Sequence, residues 1–255
     1  MNRKILFLFS ILSLICASCS ISQKITNLQN PPVDYFVKIF KDLEVTRCSK
    51  KDNSCETKKF ISTGSGLVIR ISSLFQNVVL SAGHVCTEDG LIPENEKYKF
   101  SWVETIRVLD RNKNFHDGHV ILSQQASGKA SDLCSIYVPT LDYFKYKSNI
   151  SISDSKPKIG EKIYYIGAPL GIHHPPTALI IDGIFSGEID EFSSLTSLRA
   201  APGASGSVVL SNRNKIYGVL FAVHPNFQSA TIITNHSKTK DFILKTKQAL
   251  IAQPN

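Results

Sequence analysis

Apolar residues in this chain recur mostly at every second position, in short runs separated by turn residues, and that period points to strands. The chain turns strand-like at Tyr35. A run over residues 60–69 carries Gly64, Ser65 and Gly66. After a polar break at Gln76 and Asn77, a second apolar run leads through Ser81-Ala82-Gly83 to His84. Residues 98–123 alternate, with breaks at Arg111 and Asn112 and again at Asp117 and Gly118. That predicts one or two hairpins, with His116 and His119 flanking the second turn. Asp132 opens a further strand that ends near Val138. A polar connection over 139–158, bordered by Pro139 and Pro157, marks the boundary between two halves. Strands follow at 159–167, 178–187, 208–210, 215–223 and 230–234. Residues 238–251 place Phe242, Ile243, Leu244, Ala249, Leu250 and Ile251 among lysines, which predicts a closing amphipathic helix. The fold class is all-β, with one helix at its end.

The N-terminus has another logic. Arg3 and Lys4 precede an apolar stretch from Ile5 to Ile15, too short to span a bilayer comfortably. Ala17 and Ser18 are small, and Cys19 follows. The segment resembles a bacterial lipoprotein signal, with Cys16 where leucine is usual. It predicts a signal peptide over 1–18, lipidation of Cys19, and a tether over 19–33 ending in Asn30-Pro31-Pro32. Plain secretion and a retained anchor stay open. The folded domain is then 34–255: a first half over 34–145, a second over 155–236, and the helix. The product is exported, either lipid-anchored in the cell envelope on the periplasmic side or secreted.

Composition changes little. The 255 residues carry a formal charge of +8, read as a solvated basic surface. No interleaving of aromatic and basic residues argues for nucleic acid. Beyond Cys16 and Cys19 there are four cysteines, at 48, 55, 86 and 134, enough for two bridges in an oxidising compartment. Cys48 and Cys55 enclose a hydrophilic turn, read as a hairpin clipped by a disulfide. Neither that pair nor the histidines at 116, 119, 173 and 174 has metal-ligand spacing. No cofactor is implied, and the oligomeric state is not legible.

The chemistry gathers at Pro202-Gly203-Ala204-Ser205-Gly206-Ser207. Small residues on a tight turn expose the Ser205 hydroxyl and let the Gly203 and Ser205 amides converge on one point. An acyl-transfer enzyme needs that arrangement. A base and an orienting acid are available in His84 and Asp132. The chain order His84, Asp132, Ser205 excludes the α/β-hydrolase and subtilisin orders.

These segments, with Ile159-Gly160-Glu161 and Ile166 through Gly171, resemble the trypsin/chymotrypsin-like serine proteases. The HtrA-type bacterial branch is the nearest. The resemblance covers residues from about 60 to 245. It implies two six-stranded antiparallel β-barrels, with His84 and Asp132 from the first and Ser205 from the second. It also implies a serine endopeptidase acting on protein or peptide substrates through an acyl-enzyme, with Gly203 and Ser205 as the oxyanion hole. Ala204 stands where trypsins carry the aspartate that pairs with a newly cut N-terminus, so activation of that type is not expected. A trailing PDZ domain is not expected either. Cys86 and Cys134 each follow a triad residue by two positions. If His84 meets Asp132, a Cys86–Cys134 disulfide is expected, with two buried free thiols as the alternative. By the same resemblance Arg199 falls at the floor of the primary substrate pocket and Val223 on its wall. That favours small aliphatic or acidic side chains. Three other readings compete: a catalytically silent scaffold or binding lipoprotein, an esterase using the same triad, and a metal-binding protein.

Overall fold

A computed structural model describes residues 30–71, 76–87, 97–125, 131–141, 150–224 and 226–252. The expected signal peptide over 1–18, Cys19 and the tether up to residue 29 lie outside the described residues.

Six strands close the first barrel: β1 (Phe36–Ser49), β2 (Cys55–Ile71), β3 (Gln76–Ser81), β4 (Tyr98–Leu109), β5 (Phe115–Gln124) and β6 (Leu133–Tyr137), in the spatial order β1-β2-β3-β6-β5-β4. A single helical turn, α1 (Gly83–Cys86), leaves the end of β3. The second half holds β7 (Ser151–Ile152), β8 (Lys162–Gly167), β9 (Leu179–Glu188), β10 (Ser193–Thr196), β11 (Val208–Ser211), β12 (Lys215–His224) and β13 (Phe227–Thr234). Its order is β11-β8-β9-β10-β13-β12, and β11 pairs back onto β12 to close a second six-stranded barrel. β7 is a two-residue parallel addition to β12. The helix α2 (His236–Ala252) comes last.

Alternation explains the core. On β1, Val37 and Ile39 point inward and are fully buried. One apolar cluster joins Leu67, Val79 and Ile136 of the first barrel to Tyr164, Val208 and Leu210 of the second, and takes in Phe242 and Leu250 of α2. A smaller cluster fills the second barrel with Tyr165, Phe185, Leu198, Val209 and Ile233. Burial of the Tyr164 and Tyr165 rings pushes both phenols up, so they serve as neutral donors.

Three local expectations are corrected. Gln76 and Asn77 are not a break; they open β3, paired with Ile71 and Arg70, and Asn77 is buried. Asp117 and Gly118 lie inside β5, opposite Arg107 and Ile106, so β4 and β5 form one hairpin. Its turn is built by the Asp110 carboxylate, which accepts the amides of Asn112 (2.8 Å) and Asn114 (2.9 Å). His116 and His119 are therefore strand residues. His116 Nδ1 lies 2.7 Å from Thr140 Oγ1. Finally, α2 buries Thr239, Phe242, Thr246 and Leu250, while Leu244 and Ile251 are exposed. Buried hydroxyls serve there because they find partners: Thr246 Oγ1 donates to Ser135 Oγ on β6 at 3.0 Å.

β1, β2 and the start of β4 run on past the barrel as a three-stranded extension. Its hairpin end is clipped by the Cys48–Cys55 disulfide.

Candidate active site

β3 ends in Ser81, and α1 turns the chain so that His84 stands at the rim of the first barrel. Its Nδ1 lies 2.7 Å from Asp132 Oδ2, and its backbone N–H donates to Asp132 Oδ1 at 2.9 Å. The carboxylate is buried and the imidazole is partly exposed. Both carboxylate oxygens are thus engaged by one residue, which fixes the ring plane and directs Nε2 outward. A Cys86–Cys134 disulfide ties α1 to β6 two residues beyond each partner.

The turn carrying Ser205 comes from the second barrel and rests on the first. Gly203 (φ 92°) and Gly206 (φ 87°) hold left-handed backbone that favours glycine. At Gly206 there is no room for a side chain, because a Cβ would stand 2.1 Å from both Ser65 O and Ser81 Oγ. The turn therefore sits against the strand end from which His84 projects. Among the described residues Ser205 Oγ has no hydrogen bond to His84, and the bonded pair is His84–Asp132. Contacts of this kind are often long before substrate binds.

Ser65 organises the turn. Its N–H donates to Ser205 C=O at 2.8 Å, and its Oγ donates to Gly203 C=O at 2.8 Å. The same Oγ accepts the Ala168 N–H at 3.0 Å, while Ser65 C=O accepts Ser81 Oγ at 2.8 Å. The residue is fully buried. The segment beginning at Ala168 then holds the turn from its other side: Leu170 N–H donates to Pro202 C=O at 2.6 Å. A trans peptide aims its N–H opposite to its C=O, so Gly203 N–H points away from Leu170. Ala204, Gly206 and Ser207 donate their amides to Ala201, Leu220 and Ala204. Among the described residues the amides of Gly203 and Ser205 have no acceptor. Lys38 Nζ closes the outer side, donating to Gly171 C=O at 3.1 Å.

Lys41 is a further feature of the site. It lies on the inward face of β1, is buried, and donates to the carbonyls of His84 (3.0 Å) and Thr87 (3.4 Å). A buried ammonium persists only with such partners. The period-2 series Val37, Ile39, Lys41 already places it inward, but nothing in the sequence links it to His84. Ser65 was visible only as a small residue between two glycines.

The remaining expected residues are more loosely tied to the site. Arg199 is exposed, and its carbonyl accepts Tyr165 OH at 2.7 Å. Val223 is half-buried on β12, paired with Thr231 and packed on the second core. Ala204 is fully buried in that core, so apolar packing occupies the position before Ser205.

A family model described as "Trypsin-like peptidase domain" matches residues 64–219. No curated protein matches the sequence. The fold is similar to that of the serine endoprotease from Yersinia pestis (TM-score 0.55, 15% identity, covering 84% of this chain and 63% of that one). The chain thus spans less than two thirds of the Yersinia protein. The Rv3671c protease of M. tuberculosis is also similar, in its active form (TM-score 0.56, 14% identity, 85% of each chain) and in the inactive form of a serine-to-alanine mutant (TM-score 0.55, 15% identity, 89% and 94%).

Proposed function

The chain belongs to the trypsin-like peptidase family, and from that membership we propose that it is an exported serine endopeptidase with Ser205 as nucleophile, His84 as base and Asp132 as orienting acid. The observation that carries this reading is the 2.7 Å contact between His84 Nδ1 and the buried Asp132 carboxylate. That contact holds the proton on Nδ1 and leaves the Nε2 lone pair to take the Ser205 proton as Oγ attacks a peptide carbonyl. The oxyanion that forms is received by the N–H groups of Gly203 and Ser205. His84 then gives its proton to the leaving amine. A water deprotonated by His84 attacks the acyl-enzyme, and the acid departs with Ser205 reprotonated.

Two disulfides fit an oxidising compartment outside the cytoplasm. Export by the segment 1–18 and anchoring through a lipid on Cys19 complete the reading. No helix among the described residues is long and apolar enough to cross a membrane. The substrate is an extended protein or peptide, with its primary side chain entering between the Arg199 segment and Val223.

The test is labelling of the purified protein by a fluorophosphonate probe. Labelling is expected for the wild type, absent in Ser205→Ala and strongly reduced in His84→Ala. A folded protein that never labels overturns the peptidase reading and leaves the silent scaffold.

A further inference from the structure

Along β1 the inward positions run Val37, Ile39 and Lys41, and all three are buried. The first two are apolar, as a core position favours. The third carries an ammonium, which is costly to bury, yet the residue is only 2% exposed. Its Cα is fixed from both sides, by Ser62 on β2 and by Ile106 on β4. The side chain thus leaves a rigid ladder and crosses to α1, where Nζ donates to His84 C=O at 3.0 Å and to Thr87 C=O at 3.4 Å.

The turn that receives it is weak by itself. α1 covers only Gly83–Cys86, and so short a helix does not persist without outside contacts. The last carbonyls of any helix lack intrahelical donors. Here Val85 N–H reaches Ala82 C=O and Thr87 N–H reaches Gly83 C=O, which leaves the carbonyls from His84 onward to other partners. Thr87 C=O has a second donor in Gln125 Nε2, and Thr87 Oγ1 lies 3.0 Å from Ser123 Oγ on β5. The contact that sets Lys41 apart is therefore the one to His84. The His84 N–H is held by the buried Asp132 carboxylate at 2.9 Å, and its C=O by the buried ammonium. Opposite charges thus grip the main chain of the base at both ends, one carried on β1 and the other just ahead of β6.

We propose that Lys41 is a positioning residue for His84: its ammonium anchors the carbonyl side of the base and so sets where Nε2 stands relative to Ser205 Oγ. The proposal rests on the peptidase reading. Asp132 fixes the plane of the ring through Nδ1. Lys41 fixes the main-chain point from which the ring projects. With the His84 carbonyl released, α1 can rock about the Asp132 contacts and the Cys86–Cys134 bridge. Such a rotation carries the far end of the side chain furthest, and that end is Nε2. A misplacement of roughly 1 Å costs on the order of 10²-fold in rate. The ammonium takes no part in proton transfer. Its loss falls on kcat, because the base acts in the chemical step rather than in binding the substrate.

The experiment measures peptide-anilide turnover, fluorophosphonate labelling and urea unfolding for Lys41→Met, Lys41→Gln and Val108→Ala. Methionine fills similar space without a donor. Lys41→Met is expected to lower kcat about tenfold or more, with KM changed less than about threefold, and to slow labelling of Ser205 by a similar factor. Lys41→Gln keeps a donor but neither the charge nor the reach. It is expected to lower kcat about fivefold or more, and it decides the matter if Lys41→Met does not fold. Val108 is fully buried on β4 of the same barrel. Val108→Ala is therefore expected to lower stability while kcat stays within about twofold of the wild type. In proton NMR the downfield signal of His84 Nδ1–H, assigned by its loss in His84→Ala, is expected to shift or broaden in Lys41→Met and to stay in place in Val108→Ala. A smaller loss of kcat in the folded lysine variant overturns the proposal, and so does a Val108→Ala protein that slows as much. A wild type that never labels strikes the peptidase reading; a wild type that labels, beside a Lys41→Met protein that labels as fast, strikes this inference alone.

Discussion

Replacing Ser65 by alanine removes one hydroxyl and leaves two groups of the second barrel without that partner, the buried Ala168 N–H and the part-buried Gly203 C=O. A buried group left unpaired costs about 1–3 kcal/mol and a part-buried one less, so the expected loss of stability is about 1–4 kcal/mol. The kinetic effect follows from geometry. Gly203 C=O and the Ala168 segment are the two holds that set the angle of the Gly203 amide, and loss of one well-aimed oxyanion donor costs about 10²–10³ in kcat. We expect Ser65→Ala to lower kcat about 10²-fold with KM changed less than about threefold, because the donor acts on the transition state rather than the bound substrate. Ser81→Ala is the control: it leaves only Ser65 C=O unpartnered, costs about 1–3 kcal/mol, and spares the turn. Urea unfolding gives the stabilities, and a peptide anilide gives kcat and KM. If Ser65→Ala loses the expected stability yet retains a fifth or more of the wild-type kcat, or if Ser81→Ala slows turnover as much, the hydroxyl is merely structural and the reasoning fails.

Removing the Cys86–Cys134 bridge, which closes a separation of 48 residues, should cost about 4 kcal/mol in the chain-entropy account, against about 2.5 for Cys48–Cys55. Urea midpoints of the two paired Cys→Ala variants should fall in that order; the reverse order refutes it. Burial, with the charges of Lys38 and His174, holds His173 below the ordinary histidine range while its ring packs edge-on against Phe36. Its neutral form is thus favoured in the fold: the stabilising contribution is present above the ordinary value near 6.5 and is lost as pH falls through the lower folded value. Thermal melts between pH 7.5 and 5 should be less acid-sensitive in His173→Gln, and an unchanged slope counts against the assignment.

The period-2 pattern announced most strands, because each barrel strand buries one face and a polar residue on that face is costly. The pattern misled where polar residues had local partners. Asp117 and Gly118 look like a turn, yet they pair across to β4, while the real turn is made by Asp110, which precedes β5. The His84–Asp132 contact was legible from the order of the two residues and their small neighbours. Ser65 and Lys41 were not legible as site residues, because their partners lie as far along the chain as Ser205 is from Ser65 and only the docked barrels bring them together. That residues 56–63 of β2 pair only with β1 among the described residues was hidden for the same reason: a strand reads alike whatever lies on its second side.

Among the described residues the last helix makes no hydrogen bond to Ser205 or His84, yet its Phe242 and Leu250 belong to the core shared by both barrels and its Thr246 bonds to β6. Along the chain His84 and Asp132 come first, then Ser205, then this clasp. A product that stops before the helix carries all three of these residues but lacks the clasp on the shared core. The seam between the two barrels is thus fastened by a segment that follows both of them in the sequence, so a change far from the candidate site can loosen the surface on which that site is assembled.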